Sequence, residues 1–451
     1  MRYYFSGIGG IGMSSLALYK YYVSGVENVC GSNNEINERV EYLLRKGIKV
    51  KLEQNYSLPD VDILVRSTAV KDSNPEIMEA KKRNIKVIYR MQLLNEILKN
   101  HRSIGITGTD GKTTTTAMLS QIFKDAKKDP TVFLGGIHSS LEDGNFRYGN
   151  DLIIAEVDES DGFIKDTCTD YSIVTNLRPD HLEHYDNKFK NLEYSIFQFI
   201  NNTRRLIFLC KDDPVLSSWN LVGKNVLYFG LRNDSDYILK NRVQNEKIQE
   251  FEVYKKDKLF GKITLKLPGL HYAYDALASC ALALEFGIDF QSIRDSLYNY
   301  ISVDRRFNII FKNDDICIID DYAHTPDEIL ATIKATKEYF PGKKIITIFQ
   351  PHRFSRLYFH LNDFVEVLKN SDKVYVYRLY SAFEEPLNGV DERTIVELLK
   401  AQNTPSQFYN AEEAIFSDLL EEQNAILLFV GAGDITNVAR KFAKIKDNSL
   451  T

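Results

Sequence analysis

Short apolar runs rich in Val, Ile and Leu alternate along this chain with longer stretches whose apolar residues recur at helical spacing. That alternation predicts an α/β fold whose strands form mainly parallel sheets. Three blocks follow one another. Residues 1–99 hold strand candidates Arg2–Ser6, Val26–Cys30, Val61–Arg66 and Lys86–Ile88. Residues 100–302 open with Ser103–Thr107 and continue through Leu152–Val157, Ser172–Thr175 and Leu206–Leu209 to a polar, β-like region over 237–266. Residues 303–451 hold candidates Ile316–Ile319, Lys344–Phe349, Lys373–Val376 and Ile426–Val430. The boundaries fall where the pattern resets, after the helix-like stretches Met91–Asn100 and Phe290–Tyr300. No internal repeat is visible, which excludes a solenoid.

A length of 451 residues agrees with the three blocks, at ~100–200 residues per domain. Hydrophobic residues at 44% and charged residues at 26% supply a filled core and a solvated surface. A net charge of −5 leaves no basic footprint for nucleic acid. The most apolar stretches, such as Ala425–Gly431, are too short to span a bilayer. The N-terminus runs directly into a glycine-rich turn, without the features of a signal peptide. The five cysteines form no CxxC pair, so neither a zinc site nor a disulfide framework is indicated. The expectation is a cytoplasmic protein.

Candidate chemistry sits where strands end. Gly7, Gly9, Gly10 and Gly12 lie between a strand and a helical run beginning Met13-Ser14. Glycines at that spacing allow a tight turn and close backbone approach to a diphosphate. A nicotinamide or flavin enzyme also needs an acid at the end of the second strand. Here that position reads Ser32-Asn33-Asn34, so diphosphate binding or a purely structural turn fits better. The second motif, Gly108-Thr109-Asp110-Gly111-Lys112-Thr113-Thr114, follows the strand Ser103–Thr107. Its backbone N–H groups suit phosphates, Lys112 the terminal phosphates, and the Thr113 hydroxyl a Mg²⁺ ion. It departs from the usual phosphate-loop pattern in having Ile106 at the first glycine position.

A third motif, Glu156 to Asp161, closes the apolar strand Leu152–Val157. Glu156 is the favoured magnesium ligand, because an unpaired charge within an apolar strand is costly, with a solvated charged turn as the alternative for the run. His181 and His184 differ by three and can share a helix face, but no third zinc ligand lies nearby in sequence. Arg305-Arg306, Asp320-Asp321-Tyr322 with His324, and His352-Arg353 with Arg356 form a last group. Arg353 and Arg356, one helical turn apart, can clamp a carboxylate. A solvated charged surface is the alternative for this group.

Together, GIGGIGMS at 7–14, TGTDGKTTTT at 107–116, EVDESD at 156–161, DDYAHTP at 320–326, FQPHRFSR at 349–356 and FVGAGDI at 429–435 resemble the Mur ligase family, across all three blocks and in order. The resemblance implies a Rossmann-like N-terminal domain, a central domain like the P-loop ATPases and a Rossmann-like C-terminal domain. It implies an ADP-forming reaction through an acyl phosphate, joining L-alanine to the lactyl carboxylate of UDP-N-acetylmuramate. The UDP-sugar would meet Gly7, Gly9, Gly10, Gly12, Met13, Ser14, Asn33, Ser67 and Thr68. ATP would meet Gly108 to Thr114 and Arg306, with Asp321 near its ribose, and Lys112, Glu156, His181 and Asp321 would carry the chemistry. Thr113, Glu156 and His181 would serve magnesium, as two ions. Tyr322, His324, Arg353 and Arg356 would surround the alanine. The family pattern P-G-x-H-N-x-x-N-A departs here, with Tyr272 and Asp275 in place of the two asparagines that in relatives lie at the adenine; as ATP-binding residues here, Tyr272 would stack on the adenine and Asp275 would accept from its amino group. A sibling ligase that adds a murein tripeptide, a non-catalytic UDP-sugar or ATP sensor, and an NAD-dependent dehydrogenase are the competing readings.

Overall fold

Runs such as Ile63–Arg66, Leu206–Cys210 and Ala425–Val430 are buried along their whole length, as strands flanked by helices on both faces must be. They belong to three sheets in a computed structural model that describes residues 1–52, 58–245, 247–382, 384–387, 389 and 391–448. Residues 1–240, 252–263 and 274–300 pack as one compact unit, and residues 241–251, 264–273 and 301–451 as another.

The N-terminal sheet has five parallel strands in the order Lys49–Lys51, Val29–Ser32, Tyr3–Ser6, Ile63–Arg66 and Lys86–Tyr89. On one of its faces Tyr4, Leu64, Ile77 and Ala80 form a closed apolar cluster. In the central sheet, Val226–Gly230, Leu206–Cys210, Tyr171–Val174, Arg102–Thr107, Asn150–Glu156 and Pro130–Phe133 run parallel to their neighbours, and Phe146–Arg147 is antiparallel at one edge. Three further strands, Tyr237–Gln244, Gln249–Lys255 and Lys258–Leu265, extend the other edge. The third sheet runs Asn308–Lys312, Ile316–Asp321, Ala425–Val430, Lys344–Phe349, Lys373–Tyr377 and Ser406–Tyr409, with only the first pair antiparallel. Ile318, Ile348, Leu427 and Phe429 pack there against Val438 and Phe442 of the last helix. Among the described residues, no helix is long and apolar enough to cross a membrane.

Parallel strands bring their C-terminal ends to one edge of each sheet, so the loops after Ser6, Thr107, Glu156, Val174, Asp321 and Phe349 lie at the edge where open α/β sheets generally take their ligands. The expected mainly parallel α/β architecture is what forms. One strand differs from expectation. Val26–Asn28 is a 3₁₀ turn and the strand is Val29–Ser32, because Gly25 turns the chain at φ +90° and its carbonyl receives the Asn28 N–H. Edge strands such as Lys49–Lys51 and Ser406–Tyr409 escape the pattern, since each is short and exposes a polar residue.

One buried carboxylate pins the N-terminal sheet. Glu76, at the start of helix Pro75–Lys82, has no solvent exposure. It accepts hydrogen bonds from Tyr4 Oη at 2.6 Å, Ser6 Oγ at 2.5 Å and Ser32 Oγ at 2.8 Å, which tie it to two adjacent strands. Glu76→Ala strands three buried hydroxyls. It is expected to destabilise this region by about 2–4 kcal/mol, measured as a lowered urea midpoint; an unchanged midpoint would remove the carboxylate from the stability of the sheet.

Candidate functional site

Strand Arg102–Thr107 ends at Gly108, and helix Lys112–Asp125 starts after Gly111, so residues 108–111 form a loop that feeds a helix N-terminus. Gly108 has φ +130°, and a Cβ there would lie 2.1 Å from Thr175 Oγ1; Gly111 has φ +82° with Asp275 Oδ1 at 2.5 Å from its Cβ position. Only glycine fits either place. Ile106, at the position where the usual pattern has glycine, is a core residue of the strand, paired with Glu156 on one neighbour and Ile173 on the other.

The loop is braced from the next strand end. Asn176 Oδ1 accepts from Asp110 N–H at 2.9 Å, Thr175 Oγ1 donates to the Asp110 carbonyl at 2.6 Å, and the Arg178 guanidinium pairs with the Asp110 carboxylate. Sequence reading missed this bracket, because none of these residues belongs to the loop's own motif.

Lys112 points back over its loop. Its ammonium donates to the carbonyls of Gly108 at 2.6 Å and Thr109 at 3.0 Å and to Glu159 Oε1 at 2.9 Å. Burial disfavours the charge, but Glu159, Asp158 and Glu156 outweigh it and hold the amine protonated well beyond its ordinary range. Across the loop, Thr113 Oγ1 donates to Glu156 Oε1 at 3.0 Å, and Gly135 N–H donates to Glu156 Oε2 at 2.9 Å. Burial raises the Glu156 carboxyl above the usual carboxylate range, with Lys112 opposing.

The rest of the acidic run faces the N-terminal sheet. Arg90 Nη2 lies 2.8 Å from Asp158 Oδ2 and Arg90 Nε 2.7 Å from Asp161 Oδ2. Burial opposes ionisation of Asp158, yet Arg90 and Lys112 hold its carboxyl far below the usual range. The Arg90 guanidinium also packs on Gly12, where a Cβ would meet it at 2.4 Å, and Thr68 Oγ1 donates to Asp161 Oδ1 at 3.1 Å.

The glycine-rich turn is held by Asn33, whose Oδ1 accepts from Gly9 N–H at 3.1 Å. Gly7 sits at φ +81°, and helix Ile11–Ser24 begins after Gly10. Met13 and Ser14 are buried; the Ser14 hydroxyl donates to the Ile11 carbonyl at 3.0 Å and accepts from Asn145 Nδ2 at 2.9 Å. Ser67 follows the strand Ile63–Arg66 at the same sheet edge.

The shared helix face expected for His181 and His184 does not form. Leu182–His184 is a single 3₁₀ turn, and His181 precedes it in a left-handed conformation with φ +52°. His181 is turned into the acidic region. Burial lowers its pKa, but hydrogen bonding to Glu183 and the charges of Asp180, Glu159 and Asp158 raise it overall. Among the described residues, no three His, Cys, Asp or Glu side chains converge as a metal cage. Magnesium does not require one, since it keeps waters and phosphate oxygens beside one or two protein ligands. Thr113 and Glu156 supply the oxygen donors, and Glu159 Oε2 is buried without a hydrogen-bond partner, so the region fits such an ion.

Asp275 is buried and accepts from Thr115 Oγ1 at 3.1 Å, so its carboxylate braces the phosphate-loop helix. In the second unit, Tyr272 is buried with its ring centroid 4.2 Å from that of His271.

The second unit gathers its charged groups at the end of strand Ile316–Asp321. Asp321 accepts from Phe307 N–H at 2.7 Å and Ala323 N–H at 2.8 Å, and burial pushes its carboxyl up to about 6 against the pull of Arg306. Arg306 lies between Arg305 at φ +61° and Phe307 at φ +46°, and its guanidinium is 3.4 Å from Glu328 Oε1 and over the Tyr322 ring. The imidazole of His324 packs edge-on to Tyr322 and to His352, which stacks on Tyr380. Arg353 is not on a helix. Its φ of +70° places it before helix Phe354–Leu368, with Nη1 at 4.0 Å from Glu384, whereas Arg356 turns back to His352 Nδ1 at 3.1 Å. The one-turn helical clamp read from spacing is therefore not the arrangement that forms.

Three family models match in order: the Mur ligase family catalytic domain at residues 2–102, the Mur ligase middle domain at 106–283 and the Mur ligase glutamate ligase domain at 305–433. The chain is 38% identical over 449 residues to the UDP-N-acetylmuramate–L-alanine ligase of Thermotoga sp. (strain RQ2), covering 98% of this chain and 96% of that one. The enzyme of the same description from Aquifex aeolicus is 35% identical over 453 residues, with 98% and 97% covered. The crystal structure of the UDP-N-acetylmuramate-alanine ligase from Thermotoga maritima superposes with a TM-score of 0.88 at 35% identity, covering both chains fully. A murein peptide ligase from Psychrobacter arcticus 273-4 shares the fold at a TM-score of 0.70 and 20% identity, with 98% of each chain covered.

A side chain at position 108 tests whether the loop geometry is what matters. Gly108→Ala forces a methyl into the Thr175 hydroxyl at a φ that costs about 1–3 kcal/mol. It is expected to weaken ATP binding about tenfold or more in isothermal titration while the far-UV circular dichroism stays unchanged. Unchanged affinity would show that phosphate binding does not use this turn.

Proposed function

We infer that this chain, which belongs to the Mur ligase family, joins L-alanine to UDP-N-acetylmuramate at the expense of ATP, an early step in making peptidoglycan precursors. The observation that carries the reading is the half-buried Lys112 ammonium at the mouth of the Gly108–Gly111 turn, with Thr113 and Glu156 beside it, in a chain similar to alanine-adding relatives over nearly its whole length.

In this reading the lactyl carboxylate of the UDP-sugar attacks the γ-phosphorus of ATP. A carboxylate–phosphorus bond forms, the bridging oxygen–phosphorus bond breaks, and ADP departs. The amine of alanine then attacks the acyl carbonyl, and phosphate leaves from the tetrahedral intermediate. Activation is needed because a carboxylate is a poor acylating agent. Lys112 trades part of its hold on the loop carbonyls for phosphate oxygens and neutralises their charge, and the loop amides fix the phosphates in line. Thr113, Glu156 and His181 are the proposed holders of magnesium, which supplies charge neutralisation at the transferring phosphoryl group. Gly7, Gly9, Gly10 and Gly12 with Asn33, Ser67 and Thr68 are the proposed diphosphate and sugar contacts. Arg306 and Asp321 serve the nucleotide, and Tyr322, His324, Arg353 and Arg356 serve the amino acid. Asp275 supports the phosphate-loop helix through Thr115 in this chain.

Lys112→Ala is expected to abolish UDP-N-acetylmuramate-dependent ADP release while UDP-sugar affinity stays within about twofold. Undiminished turnover would refute the phosphate-loop assignment. Arg356→Gln is expected to raise the KM for alanine about tenfold, through loss of a charged hydrogen bond, with little change in the KM for ATP. An unmoved alanine KM would take Arg356 out of the amino-acid site.

A further inference from the structure

Glu328 belongs to no motif read from the sequence, yet its carboxylate joins two groups that the proposed reaction uses. Helix Pro326–Tyr339 opens with a capping box, in which Thr325 caps the Glu328 N–H and Glu328 Oε2 accepts from Thr325 N–H at 3.3 Å. A capping box needs no more than that from the glutamate. Here Oε2 also accepts from His324 N–H at 3.0 Å and lies 3.1 Å from His324 Nδ1, while Oε1 faces Arg306 Nη1 at 3.4 Å. The Tyr322 carbonyl oxygen is 2.9 Å from the same Nδ1. Both neighbours of Nδ1 are acceptors, so Nδ1 carries a proton in either charge state of the ring. The neutral imidazole then has Nε2 as its basic nitrogen.

We propose that Glu328 is a positioning residue for the ligation: it fixes His324 in the Nδ1–H tautomer, so that Nε2 takes the proton from the amino-acid ammonium, and it orients Arg306 through its other oxygen. The proposal rests on the amino-acid role of His324 given above. In the step, an N–H bond of the ammonium breaks and its proton passes to Nε2. The nitrogen lone pair attacks the acyl carbonyl, the imidazolium is stabilised by the Glu328 carboxylate, and the proton is later released to water. The carboxylate stays ionised throughout the working range. Burial opposes that charge, but His324 and Arg306 hold its carboxyl down to about 2. The other titratable groups around this pair are Asp321, which interacts with both Glu328 and Arg306 and which burial raises to about 6, Tyr322 and His352, whose rings lie 5.2 and 5.9 Å from that of His324, Arg356 on the far side of His352, Tyr272 and His271. Burial, Arg306 and Arg242 hold His271 down to about 4, so it is neutral near pH 7.

The test is the pH dependence of kcat/KM for L-alanine in the full chain, with saturating ATP and UDP-N-acetylmuramate. A carboxylate beside an imidazole favours the imidazolium and raises its pKa, and the base works only when neutral. Glu328→Gln keeps an acceptor oxygen for the capping box but removes the charge. It is expected to move the acid limb to lower pH and to cut the plateau about tenfold or more, as a weaker base acts more slowly. His324→Ala is expected to lower kcat about 100-fold and to erase that limb. If His324→Ala leaves alanine kinetics unchanged, the amino-acid reading of the site falls. If His324→Ala is impaired but Glu328→Gln keeps the wild-type limb, the site stands and the role given to Glu328 is wrong. ¹⁵N-histidine NMR of the unmutated chain reads the tautomer without any variant: the Nδ1–H form supports the proposal and the Nε2–H form overturns it.

Discussion

An ammonium group removed from water must be neutralised where it comes to rest, and much of the first unit's site is arranged around that requirement for Lys112. Two loop carbonyls and Glu159 surround it, with the charges of Asp158 and Glu156 close enough to hold its proton. Those carboxylates cannot all be buried on one lysine. Asp158 and Asp161 are shared with Arg90, which rests on the glycine-rich turn, and Glu156 is satisfied by Thr113 and the Gly135 amide. The charge balance of the phosphate loop thus runs continuously to the turn at the N-terminal sheet. A ligand phosphate entering at either end alters the pairing available to the same few carboxylates.

The second unit meets the same requirement with an arginine. Arg306 is half-buried and Glu328 is the anion it faces, while Asp321 gives both oxygens to backbone N–H groups and is left with a raised pKa of about 6. Backbone strain accompanies both solutions. Arg305, Phe307, Arg353 and His181 all have positive φ, a conformation that L side chains adopt at a cost of about 1–3 kcal/mol. In each case the strained residue stands at or beside a charged group aimed at a strand end. Regular helix geometry would have kept Arg353 on the same face as Arg356; the turn at φ +70° sends it toward Glu384 instead.

This contrast explains what was legible in the sequence. Strands such as Lys344–Phe349 and Ile316–Asp321 announce themselves because burial on both faces demands an unbroken apolar run. The loops that follow them carry dense, local motifs, so Gly108–Thr114, Glu156 and the stretch from Asp321 to His324 could be singled out by position alone. Pairings over long sequence separation could not. Lys112 finds Glu159 47 residues away, Arg90 finds Asp158 68 residues away, and Glu328 meets Arg306 across 22. No spacing rule selects one acidic residue from many at such distances; only the register of parallel strands does.

Glu328 also shows why a capping residue is easily passed over as chemistry. Read along the chain, a threonine followed three residues later by a glutamate is a sufficient account of a helix start, and the helix needs nothing else from that side chain. The cap holds one oxygen of the carboxylate 3.3 Å from the Thr325 amide nitrogen, and the same oxygen lies 3.1 Å from His324 Nδ1. A flexible surface glutamate could supply the charge but not the direction. Placing the orienting carboxylate in a helix cap lets the fold itself restrain the imidazole, so its tautomer follows from backbone geometry and needs no bound substrate to set it.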